Sequence, residues 1–297
     1  MKRRKTIFFF TIIFIGQLTA RIYAQDLRLF ALNLYEKKKN QTIGFISLSD
    51  IYRPASIATD ADNKMLLKDK IEFLSKVKIS ETDKVFIYNY SIDTIISFRV
   101  KDLDIVACLN IYDIGSEGPF SADDYMVGFE IKKKFLTPFR EYSSNTFVYV
   151  GRDNPFIKGQ LKNIKWKKIE TSNVPLKSTI SYDTSYGGKC ILGNSYKYET
   201  GGMQYFLQEL VRLDDNEVSV KRLLIISIKT KEKICEKYFY SGEGSSFAPI
   251  DYQLTGKLFK NKLPVIFGFS WISFGCESIT FLSQTENDIY INCDNRH

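Results

Sequence analysis

The strongest constraint on this chain is a two-residue hydrophobic rhythm that returns in short segments along most of its length. Segments 27–35, 43–48, 85–90, 94–100, 105–112 and 125–132 alternate apolar and polar residues and are rich in Ile, Val, Phe, Tyr and Thr. The rhythm continues at 146–150, 160–169, 179–183, 218–228, 234–240, 265–272, 278–282 and 289–293. Period-two alternation puts successive side chains on opposite faces of a strand, one buried and one wetter. Turn-forming clusters separate the segments: Lys39-Asn40-Gln41, Tyr90-Ser91-Ile92-Asp93, Arg152-Asp153-Asn154-Pro155 and Leu213-Asp214-Asp215-Asn216. Strands spaced this closely predict antiparallel hairpins, and hence an all-β fold built as a sandwich or barrel.

One segment departs from the rhythm. Across 62–77, Leu67, Ile71 and Leu74 recur at helical spacing, with Asp60 or Asp62 as a cap, which predicts one short helix. Segment 203–213 fits either period, and the acidic turn that follows it favours a hairpin.

The two halves echo each other. Cys108, Glu117 and Tyr125 are matched by Cys235, Glu243 and Tyr252 at nearly constant offset, each set running through a Gly-containing loop. A duplicated β unit would explain this, giving β-rich halves at 25–160 and 161–297 within one domain or two. Strand, glycine turn, strand is also a common order, so chance recurrence stands as the other explanation.

Ahead of both halves lies a leader. Lys2-Arg3-Arg4-Lys5 precedes an apolar run at 7–18, and Ala24 precedes Gln25, the pattern of a secretory signal peptide over 1–24. The apolar run is shorter than the roughly 20 residues that span a bilayer. The expected product is therefore secreted or periplasmic, in the cell envelope, with no transmembrane segment once the leader is removed. The leader carries five of the 42 Lys and Arg and none of the 34 Asp and Glu. That leaves 37 against 34, a net charge of +3, which argues against a nucleic-acid partner. The runs Lys37-Lys38-Lys39 and Lys132-Lys133-Lys134 read as strand ends or solvated turns.

Histidine bounds the chemistry. His297, the last residue, is the one imidazole in the sequence. A Ser-His-Asp triad, a Cys-His pair or a multi-His zinc site needs an imidazole held by surrounding structure, which a chain end rarely supplies. No catalytic, cofactor or metal residue is assigned. Ser241-Gly242-Glu243-Gly244 lacks the Lys-Ser/Thr ending of a phosphate loop. Lys165-Trp166-Lys167-Lys168 is an aromatic-basic mixture that suits either a stacked sugar or base or an amphipathic strand edge.

Five cysteines in an exported chain point to disulfides. Cys276 and Cys293 flank a hairpin centred near residue 284 and are expected to bond. Cys190 with Cys235 is the second expected pair, leaving Cys108 over. Four loop carboxylates, Glu117, Asp124, Glu243 and Asp251, form the one acidic constellation with a pattern. They read either as ligand-loop residues or as acidic residues stabilising β-turns. The resulting expectation is a non-catalytic binding or structural component of the envelope, with an envelope protein or glycan as partner. The alternatives are a carboxylate-dependent polysaccharide hydrolase and an inhibitor of an extracellular hydrolase.

Overall fold

A computed structural model of the protein describes residues 27–37, 41–49, 65, 67–110, 118–137, 145–177, 183–184, 188–242, 245–248, 250–272, 276–283 and 285–293. The leader expected at 1–24 lies outside these residues. The protein is mostly β, with sheets curled into a half-barrel, as the alternation predicts. Among the described residues no helix is long and apolar enough to cross a membrane.

A nine-stranded sheet is the spine of the molecule. Its strands run in the order Thr94–Arg99, Lys84–Asn89, Thr146–Gly151, Leu29–Phe30, Ile289–Asn292, Ser278–Phe281, Val265–Phe267, Leu254–Gly256 and Leu161–Asn163. Both sequence halves contribute, and they meet where Leu29–Phe30 pairs in parallel with Ile291 and Asn292. Inner strands such as Lys84–Asn89 and Thr146–Gly151 are buried on both faces. In Lys84–Asn89, Val85 and Ile87 enter one apolar cluster while Phe86 and Tyr88 enter the other. Alternation there sorts side chains between two cores; the one wet face expected from the sequence is found on the edge strand Thr94–Arg99.

The first core lies between this sheet and a four-stranded sheet of Asn33–Lys37, Gln41–Ser47, Tyr125–Lys132 and Ile105–Leu109. The helix closes it, running over Leu67–Lys76 inside the expected 62–77. Its buried stripe differs from the expected one. Phe73, Leu74 and Val77 face the core, while Ile71 is exposed, because a step of one residue turns a side chain about 100° around the axis. Lys70 shares the buried stripe, and its ammonium donates to the carbonyls of Val100 (3.2 Å), Lys101 (3.2 Å) and Leu103 (2.7 Å).

The second sheet partner has six strands: Lys167–Ile169, Gly188–Thr200, Met203–Arg212, Val218–Ser227 and Lys233–Tyr240 in order, with Asp183–Thr184 beside Gly188–Thr200. Tyr205, Leu207, Leu223 and Ile225 pack from it onto Ile266, Phe269 and Leu282 of the spine side. Met203–Arg212 is a hairpin strand, as its acidic turn suggested. The long strand Gly188–Thr200 escapes a period-two reading because a bulge between Leu192 and Ser195 shifts its register midway.

The segments that echo in sequence pair differently. Ile105–Leu109 pairs with Tyr125–Lys132 beyond its loop. Lys233–Tyr240 instead pairs back onto Val218–Ser227, and the strand after its loop, Ser245–Phe247, joins Ser270–Ile272.

Gly256 ends its strand at φ +143°, a conformation closed to most L-residues, and an added Cβ would strike the Gln160 carbonyl oxygen. Gly256→Ala is therefore expected to cost about 1–3 kcal/mol in urea unfolding. A loss below a few tenths would show that the turn relaxes without cost.

Candidate functional site

The last hairpin and the first strand build the most distinctive surface feature. Ser278–Phe281 and Ile289–Asn292 pair with Ile279 opposite Ile289, and Cys276 and Cys293 bond across their open end with Cα atoms 5.6 Å apart. This is the pairing the hairpin arithmetic predicts. The first strand is fastened beside it: Ala31 N donates to Asn292 O at 2.8 Å, and Asn292 Nδ2 donates to Leu29 O at 2.7 Å. These contacts fix Ala31–Asn33, the disulfide and Glu277 around one cleft of about 200 Å³.

Aromatic residues form the wall of the cleft. Tyr90 packs on Phe147 with ring centroids 5.0 Å apart and meets Phe267 edge-on at 6.2 Å. Phe147 and Phe267 are themselves edge-to-face at 5.0 Å. Phe147 and Phe267 are buried, so Tyr90 is the ring of the three that presents surface. The sequence achieves this with the strand ends: Tyr90 N donates to Asn145 O at 3.1 Å just past Lys84–Asn89, while Phe147 sits on the neighbouring strand. Gly268, at φ +78°, then turns the chain so that Phe267 faces this cleft and Phe269 faces the six-stranded sheet.

Polar groups form the rim: Asn33, Thr146 and Glu277. A second cleft of about 110 Å³ adjoins it, sharing Phe267 and Glu277 and adding Phe239, Ser270, Ser278 and Thr280. Glu277 thus stands on the ridge between the two. It is exposed by surface area, yet the walls around its carboxyl desolvate it and raise its pKa above the ordinary carboxylate range. Burial, and then the charge of Glu277, likewise push the Tyr90 phenol up. The pair presents a neutral phenol and a carboxyl that keeps its proton to higher pH than an open one.

The residues singled out from sequence fall elsewhere. Glu117 and Glu243 lie outside the described residues. Asp124 accepts from Ser121 N in a tight turn, and its own carbonyl accepts from Asn110 N at 2.8 Å. Asp251 is exposed in the turn Ile250–Tyr252, where its carbonyl accepts from Asn163 Nδ2 at 2.8 Å. Neither aspartate lines the clefts. Cys190 and Cys235 do not bond to one another, which corrects the second expected pair. Their strands are separated by Met203–Arg212 and Val218–Ser227, so three strand spacings of ~4.8 Å hold them apart. Cys190 Sγ lies 3.3 Å from Ser219 Oγ, and burial pushes the Cys235 thiol up to about 11. Both are buried thiols, poorly suited to nucleophilic work.

Sequence reasoning missed Glu277 and Tyr90. The signal for Glu277 was present, since it directly follows a cysteine expected to clamp a hairpin. Tyr90 looked like the first residue of a turn. No protein-family model, curated protein or solved structure matches this chain.

Proposed function

We propose that the protein is an exported, non-catalytic binding module that takes a glycan in the Tyr90–Glu277 cleft. The observation that carries this reading is one desolvated carboxyl set beside an aromatic ring on a rigid, disulfide-clamped rim. Sugars offer an apolar ring face, which stacks on an aromatic side chain, and hydroxyls, which bond to amide, hydroxyl and carboxyl groups. Tyr90 supplies the face, and Asn33, Thr146 and Glu277 supply the polar partners. A carboxyl group accepts hydrogen bonds from sugar hydroxyls, which suits a hydroxyl-rich ligand.

A polysaccharide hydrolase of the usual kind needs two carboxyl groups across the scissile bond, about 5–9.5 Å apart. Among the described lining residues of both clefts, Glu277 is the one carboxylate, which supports binding over hydrolysis.

Titration with a panel of envelope-type oligosaccharides tests the proposal. Tyr90→Ala is expected to weaken the best ligand roughly tenfold while leaving the melting curve near that of the native protein. Glu277→Gln, which keeps the size of the side chain and a carbonyl that accepts from a hydroxyl, is expected to retain binding. Release of new reducing ends that Glu277→Gln abolishes would establish the hydrolase and overturn this reading.

A further inference from the structure

The aromatic-basic stretch 165–168 meets the long strand Gly188–Thr200 at the edge of the six-stranded sheet. There Lys165, Lys167, Ile169, Lys197, Tyr198 and Glu199 line a groove of about 440 Å³. Lys167 and Lys197 are direct cross-strand partners. Like charges opposite one another in an antiparallel ladder repel and cost stability, so this pairing is not one that folding alone favours.

Within the groove the counter-charge falls to Lys197, whose ammonium also lies 5.7 Å from the Phe206 ring centre. Glu199 is the groove's one carboxylate, engaged by Lys197 at 2.6 Å and by Gln204 Nε2 at 2.7 Å. Among the described residues no carboxylate lies within ion-pair distance of Lys165 or Lys167. The lysines are also held in place from behind. Trp166, between them in sequence, turns inward and donates its Nε1 hydrogen to Gln253 Oε1 at 2.7 Å. Its ring packs with the core beneath the sheet, which fixes the strand that carries the ammoniums.

We propose that this groove is a second binding site, and that it takes an acidic polysaccharide whose carboxylates bridge Lys165, Lys167 and Lys197. Lys167 and Lys197 on paired strands, with Lys165 two residues before the first of them, form a row of charges that suits an extended chain carrying an anion on successive sugars. A single-stranded nucleic acid fits less well, because it needs open aromatic rings for its bases. Tyr198, the groove's one aromatic residue, is engaged with Tyr205 at 5.9 Å. The site is separate from the Tyr90 cleft and does not depend on what that cleft binds.

Calorimetric titration of the full chain with a short polyuronate, its uncharged counterpart and a single-stranded DNA of equal charge tests the proposal. The polyuronate is expected to bind, with affinity falling roughly tenfold as salt rises from about 50 to about 200 mM. Lys165→Gln with Lys167→Gln should remove that binding, and Glu277→Gln should leave it intact. Lys167→Gln alone should raise the melting temperature, since it relieves the repulsion with Lys197. Unchanged polyuronate binding in the double lysine variant would overturn the proposal. So would equal binding of the uncharged sugar, tighter binding of the DNA, loss of binding in Glu277→Gln, or no binding by the native chain.

Discussion

Arg222→Ala is expected to lower the free energy of unfolding by roughly 3–5 kcal/mol in urea titration, a larger loss than that of Gly256→Ala. Arg222 is 1% exposed and directs its donors into the protein. Nε and Nη2 both reach Glu236 Oε1 at 2.8 Å. Nη1 donates to Gln208 Oε1 at 2.6 Å and to Leu176 O at 2.8 Å, and Nη2 adds Lys177 O at 3.4 Å. Truncation leaves a carboxylate whose side chain is only 9% exposed with Lys233 and Tyr238 in place of the guanidinium, and removes the donors that hold residues 176 and 177 over the sheet.

The acid response should change as well. Burial works to raise the Glu236 pKa, but hydrogen bonds from Lys233, Arg222 and Tyr238, with the charge of Arg222, bring it below its ordinary value. A carboxylate depressed in the folded state contributes stability above its unfolded pKa and loses it as pH falls through the folded pKa. The native protein should therefore weaken below about pH 4.5, the ordinary value for Glu. Without Arg222 the folded pKa rises and this part of the acid loss shrinks. Arg222→Met combined with Glu236→Leu should recover much of the stability, because well-packed apolar groups replace a buried pair at little cost. A loss under 1 kcal/mol in Arg222→Ala would show that water reaches Glu236.

Breaking the Cys276–Cys293 bond is the second large effect. The two residues are 17 apart, and closing a loop of that size is worth about 3 kcal/mol through the unfolded chain. For a protein of this length Cys276→Ser with Cys293→Ser should lower the melting temperature on the order of 10 °C by scanning calorimetry. Reductant added to the native protein should reproduce the shift, and the serine variant should ignore it. Equal melting in all three samples would mean that the hairpin's hydrogen bonds hold it unaided. Because Cys276, Cys293 and Glu277 all line the Tyr90 cleft, the same variant should also bind cleft ligands less tightly.

What could be read from sequence followed from local rules. The two-residue rhythm located most strands, and the 276–293 hairpin needed only symmetry about its turn. The helix was placed by its spacing, but its facing was not, because the buried stripe includes Lys70, whose ammonium is received by carbonyls 30 to 33 positions away that no local pattern reveals. Gly188–Thr200 was lost to a bulge that resets the rhythm. The Cys190–Cys235 pairing failed because strand order, a long-range property, separates residues that local pattern treats as equivalent. The clefts were illegible for the same reason. Tyr90, Phe147 and the pair Phe267 and Glu277 come from three distant segments, and no spacing rule links them.

The parallel seam between Leu29–Phe30 and Ile291–Asn292 also sets the order in which the protein becomes whole. Asn292 reaches back 263 positions to bond Leu29, so the spine stays in two pieces until residues near 290 are available. Contacts of such separation form late, after the loop entropy between them has been overcome. A growing chain therefore holds its N-terminal strands without their final neighbours throughout synthesis, and the closing of the seam is the step that turns two part-sheets into one.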